Sequence, residues 1–81
     1  MNSTDHLKKE LMVFAIDHDF FGYGSRCYKR SDGRYVSIVD GERATYSGRE
    51  LAAEWDTLDL DDKQNIIRYF SERELKVPLD S

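Results

Sequence analysis

The sequence predicts an α+β fold in the order α-β-β-β-α-α, a three-stranded antiparallel meander with helices packed on one of its faces. Three observations carry that prediction. Apolar residues recur at helical spacing through the first twenty positions. Two short glycine-ended turns, Ser31-Asp32-Gly33 and Asp40-Gly41, divide a β-rich middle. Ser47 stands three residues before Glu50, the spacing of a helix capping box, and helical patterning follows. At 81 residues the chain forms a single compact domain, 1–81, because half of it is too short to bury a core of its own. Its 40% hydrophobic and 12% aromatic content exceeds that of a disordered chain.

The first helix is expected over about 4–20, where Leu7, Leu11, Phe14, Ala15 and His18 share one face. Ser3 or Thr4 is its expected N-cap, Asp5 suits the positive end of its dipole, and Gly22 and Gly24 are expected to end it. Met12, Val13 and Ile16 widen the apolar stripe. Strands are expected over about 26–30, 34–39 and 42–46, joined by the two turns. A helix over about 48–57 places Leu51, Trp55 and Leu58 on one side, with Trp55 as a core anchor. Asp59 is then placed to cap a third helix over about 60–75, with Leu60, Ile66, Ile67 and Phe70 inward and Pro78 preventing continuation.

A two-residue Asp-Gly turn sets Val39 opposite Glu42, Ile38 opposite Arg43 and Tyr35 opposite Tyr46. A three-residue first loop sets Arg30 opposite Arg34, Tyr28 opposite Val36 and Arg26 opposite Ile38. Side chains alternate across a sheet, so the strands sort into two faces. One face holds Cys27, Lys29, Tyr35, Ser37, Val39, Glu42, Ala44 and Tyr46, and reads as the helix-covered interior. The other holds Arg26, Tyr28, Arg30, Arg34, Val36, Ile38, Arg43 and Thr45. If open, it presents an apolar and aromatic centre of Tyr28, Val36 and Ile38 inside a guanidinium rim, the residue types that dominate binding hot spots. The alternative is that the Arg stems only shield an ordinary sheet face.

Charge is distributed unevenly within a net −4. Residues 1–23 carry two Lys against four acids, 24–50 carry six Lys or Arg against four acids, and 51–81 carry four basic against eight acidic residues. General affinity for nucleic acid through phosphate neutralisation is therefore not expected.

No catalytic, cofactor or metal site is expected. Consecutive residues on a helix point in different directions, so Asp17, His18 and Asp19 do not converge on one ion. His6 reads as a solvated residue near the chain start, and Cys27 as a buried thiol, since one Cys with two His is too few donors for structural zinc. The acids Glu54, Asp56, Asp59, Asp61 and Asp62 lack the alternating ligands and central Gly of a calcium loop. Gly22-Tyr23-Gly24 lacks the remainder of a dinucleotide loop.

These readings point to a small non-catalytic protein-binding module. Its expected contact is Arg26, Tyr28, Arg30, Arg34, Val36, Ile38 and Arg43, and its expected partner a larger protein or nucleoprotein complex. Size and acidity match the small inhibitors or modulators that phages and mobile elements direct against host defence complexes, working by occlusion. Two alternatives use other chemistry. The Arg/Tyr face could hold a nucleic acid, or the acids from Glu54 to Asp62 could imitate phosphates. No membrane association is expected, and the lone cysteine and lack of a long apolar run point to the cytoplasm.

Overall fold

The computed structural model describes residues 3–79, with side chains described over 4–73. Its elements are α1 (Ser3–Asp17), β1 (Arg26–Lys29), β2 (Tyr35–Val39), β3 (Glu42–Tyr46), α2 (Gly48–Asp56) and α3 (Leu60–Leu79). The order and the meander are those that the sequence predicts, with β2 central in the sheet.

Helix α1 is the organising element, packing against α2, β1 and α3. Leu11, Met12, Ala15 and Ile16 are buried, and the core cluster adds Cys27, Tyr35, Leu51, Trp55 and Ile66. Leu7, expected on the same face, is 52% exposed, because the packing begins one turn further along the helix. Ser3 and Thr4, expected as the N-cap, both lie within the described helix.

The end of α1 differs from expectation. The helix closes at Asp17, ahead of Gly22 and Gly24. The Phe20 N–H donates to the Ala15 carbonyl at 2.9 Å and the Asp19 N–H to the Ile16 carbonyl at 3.1 Å, the paired bonds of a Schellman cap. Asp19 occupies the left-handed position at φ 54, where glycine is usual and Asp is among the few tolerated alternatives. Its side chain accounts for the choice, since Asp19 Oδ1 accepts from the Ser25 N–H at 3.0 Å and so ties the following loop to the helix end. Ser25 Oγ completes the knot by donating to the Ile16 carbonyl at 2.7 Å.

Both hairpins have the expected register. In the second, Asp40 and Gly41 take φ 53 and 81, the positive pair that a two-residue turn needs to match strand twist. In the first, the Arg30 N–H donates to the Arg34 carbonyl at 2.7 Å and Gly33 takes φ 88, giving a three-residue loop with glycine in its left-handed position.

The capping box of α2 is complete. The Glu50 N–H donates to Ser47 Oγ at 3.1 Å and the Ser47 N–H to Glu50 Oε1 at 2.8 Å. Leu51, Ala52 and Trp55 are buried, with Leu58 packed beside them. Asp59 caps α3, its Oδ1 accepting from the Asp62 N–H at 2.8 Å.

Two expectations for α3 are corrected. Leu60 and Ile67 are 67% and 44% exposed. The helix is held from one side through Ile66 and Phe70, and Ile67 is turned about 100° from Ile66. The helix also continues to Leu79, past the stop expected near 75. Pro78, expected to prevent continuation, lies within the described helix.

Candidate functional site

The strand residues in the hydrophobic core, Cys27, Tyr35 and Tyr46, all belong to one face of the sheet. The partner face carries three cross-strand rows. Arg26 and Arg43 bracket Ile38, Tyr28 and Thr45 bracket Val36, and Arg30 stands beside Arg34 at the loop end. Arg26, Arg30, Arg34, Arg43 and Thr45 are exposed, as is Tyr28 at 46%.

The apolar centre expected there is corrected. Val36 is only 3% exposed and Ile38 is half-buried, so neither stands open. Val36 lies outside the core cluster and is flanked across the strands by Tyr28 and Thr45. What the face offers outward is therefore Tyr28, Thr45 and the guanidinium groups.

Those groups are unevenly committed. Arg30 Nη2 lies 3.2 Å from Asp32 within its own loop, and Arg34 Nη2 reaches round the sheet end to within 3.9 Å of Glu50 on α2. Arg26 and Arg43 make no ion pair among the described residues.

The inner face is covered over only part of its area, in the rows that hold Cys27, Ser37, Tyr35 and Tyr46. Cys27, Tyr35 and Ser37 are buried and Tyr46 is half-buried, while Lys29, Val39, Glu42 and Ala44, expected inside, are exposed. The path of α1 gives the reason. Asp17 Oδ1 accepts from the Cys27 N–H at 3.2 Å, so the helix lies against β1, and it reaches β2 through Lys9, whose Nζ is 5.5 Å from the Tyr35 ring centroid.

Sequence reasoning missed two charged residues that build this side. Lys9 is buried. Burial works against its charge, but hydrogen bonds to Tyr35 and Glu10 outweigh that cost and hold its pKa above the ordinary lysine value. Asp19 is held below the usual carboxylate range, first by the Ser25 N–H and also by the amides of Gly24 and Tyr23. The spacing of Lys9 within the widened apolar stripe was the available signal for the first. The conformation of Asp19 left none.

Asp17, His18 and Asp19 diverge as expected. Asp17 turns to β1, Asp19 to Ser25, and His18 packs its ring on Phe14 at 4.6 Å between centroids. His6 is exposed, 3.9 Å from Glu10. Cys27 is buried, and desolvation followed by the nearby Asp17 charge pushes its thiol up to about 11, so it stays neutral near pH 7. Among the described residues no three His, Cys, Asp or Glu side chains gather where they could hold a metal.

The acidic alternative is drawn into the fold at two points. Asp56 pairs with Lys8 at 2.9 Å, a hydrogen bond that raises the Lys8 pKa, and Asp59 is the α3 cap. Glu54 and Asp61 remain exposed, and Asp62 is half-buried in the first turn of α3. No described helix is long and apolar enough to cross a membrane. No family model, curated protein or solved structure matches the chain.

Proposed function

We propose that the protein is a small non-catalytic binding module that presents its outer sheet face to an acidic or mixed patch on a larger protein or nucleoprotein complex and acts by occluding it. The observation carrying this reading is the segregation of the strands. Every strand residue of the main core cluster lies on one face, which leaves Arg26, Tyr28, Arg30 and Arg43 outward on the other, around the buried Val36. Arg and Tyr join a large contact body to a polar tip, and two of these arginines are not committed to ion pairs among the described residues. The engagement of Asp56 and Asp59 within the fold favours this surface over the acidic one.

Three strands of four or five residues at strand spacing span at most roughly 14 by 17 Å, about 240 Å² of flat area. A stable interface buries about 800 Å² per partner, so the contact takes in the turns at both sheet ends, including Asp32 and Asp40. The small size and acidity of the chain support a role as an inhibitor or modulator of the kind encoded by phages and mobile elements against host defence complexes. The neutral, buried thiol of Cys27 suits a reducing cytoplasm.

The test is co-purification from the native host with the wild-type chain and with Arg26→Glu/Arg43→Glu. A partner retained by the first and lost by the second, with both melting alike, supports the reading. A partner retained equally by both sinks it.

A further inference from the structure

A concavity of about 600 Å³ lies away from the sheet, between the end of α1 and the middle of α3. Phe14, His18 and Phe20 line it from one side, and Arg68, Tyr69 and Arg73 from the other. Its aromatic residues are mutually braced. Phe14 meets Phe70 edge-on at 5.3 Å, and Phe20 approaches Tyr69 at 6.2 Å between centroids.

Arg68 is held ready within this wall. Its Nη2 donates to Asn65 Oδ1 at 3.1 Å, and its guanidinium carbon sits 5.3 Å from the Tyr69 ring centroid. Sixteen Asp and Glu outnumber twelve Lys and Arg in the sequence, yet among the described residues none that lines the cavity is acidic and the two formally charged ones are arginines.

We propose that this cavity binds a small planar aromatic anion, the class to which nucleoside monophosphates belong. The ring rests against Phe14, Phe20 and Tyr69, and the anionic group is held by Arg68 and Arg73. Both halves of such a ligand are needed. Two exposed guanidinium groups in water supply only about 1 kcal/mol each at contact distance, too little to retain a bare phosphate. The aromatic wall adds apolar burial, and a planar fork already fixed by Asn65 and Tyr69 loses less freedom when it closes on an oxyanion. The volume lies within the range of small-molecule sites. This inference is independent of the sheet face, which none of these residues joins.

Amide NMR of the full chain, titrated separately with AMP, adenosine, inorganic phosphate and a short oligo(dA) strand, tests it. AMP is expected to give saturable shifts confined to Phe14–Phe20 and Asn65–Arg73, with an affinity at least about tenfold above adenosine or phosphate. Arg68→Ala is expected to weaken AMP about tenfold with an unchanged melt, and Arg68→Lys, which keeps the charge but loses the fork, to fall between. Should Arg68→Ala also lower the melt, Arg73→Ala carries the same expectation. The inference fails if AMP gives no saturable shift at millimolar concentration, or if either fragment binds as well as AMP. A strand binding far more tightly than free AMP also overturns it, since the cavity is then part of a nucleic-acid track.

Discussion

The two faces of the sheet are built from alternate residues of the same strands, yet they hold their charges in opposite ways. On the helix side Lys9 is buried against Tyr35, Asp17 receives the Cys27 N–H, and the Asp19 carboxylate secures the turn at Ser25. Each of those charges contributes to closing the fold. On the outer face Arg30 and Arg34 pair only loosely, at exposed positions, and Arg26 and Arg43 pair with nothing described. Exposed ion pairs contribute little to stability, so the fold alone does not account for four guanidinium groups gathered there. Substitutions that perturb the fold and substitutions that perturb binding should therefore divide along this boundary.

The sharpest disturbance is expected at Trp55, which is 5% exposed in the core that α1 and α2 share. Trp55→Ala should cost roughly 3–5 kcal/mol through lost burial and the cavity left behind. A domain of this length holds only about 4–12 kcal/mol in total, so the variant sits at the margin of folding. Urea denaturation measures the loss, and the Cys27 thiol gives an independent readout because it is buried in the native protein. Native-like midpoint and labelling rate in the variant would mean that Trp55 does not anchor the core.

Val36 blurs the boundary, since it lies on the binding face but is buried there. Val36→Ala removes two methyl groups and should cost about 1.6 kcal/mol at about 0.8 each, whereas Tyr28→Ala, from a residue 46% exposed, should cost clearly less. Equal costs at the two sites would show that the outer face is held together by Tyr28 as much as it is offered to a partner.

A smaller effect is expected at the α2 cap, on the helix side. Ser47→Ala should cost about 1 kcal/mol. The Glu50 carboxyl lies below its ordinary value of 4.5, mainly through the Ser47 N–H, then the Ser47 hydroxyl and the Arg34 charge. A carboxyl with a depressed folded pKa stabilises the fold above its unfolded pKa and loses that contribution as pH falls through the folded one. The melting temperature should therefore fall on acidification below about 4.5, and Glu50→Gln should fall less over the same interval. Parallel melts from pH 6 to 3 would contradict this.

The elements visible in the sequence were those written in local chemistry. Asp40-Gly41 and Ser31-Asp32-Gly33 specify turn geometry, which in turn specifies register, and Ser47 with Glu50 specifies a helix start; all stand as expected. What the sequence did not disclose depends on where one element crosses another. Nothing local says that the helices leave Lys29, Val39, Glu42 and Ala44 open, or that α3 is held by Ile66 and Phe70 while Leu60 and Ile67 face outward. The outer sheet face was half legible. Alternation placed its arginines correctly but not the depth of Val36, because burial by same-face neighbours is a property of the assembled row. The cavity beside Tyr69 was invisible, since its two walls lie some fifty residues apart in the chain.

The smallest effect on stability and the largest on binding are expected from charge reversal on the outer face, where two pairs of arginines can be compared. Arg26→Glu/Arg43→Glu alters residues with no described ion partner, so the melt should move by no more than about 0.5 kcal/mol equivalent. Arg30→Glu/Arg34→Glu gives up the contacts to Asp32 and Glu50 and sets new acids beside them, so a somewhat larger loss is expected. Binding should rank the other way. The first pair brackets Ile38 across all three strands and is free to meet a partner carboxylate, while the second is already drawn toward its own loop and toward α2. Breaking a desolvated charge contact costs about 2–5 kcal/mol, a loss of thirtyfold or more in affinity by the usual conversion. Titration of the captured partner with both double variants measures the ranking. If the Arg30/Arg34 pair proves the more damaging, the contact is centred on the first loop and its rim, and the row through Ile38 lies at its margin.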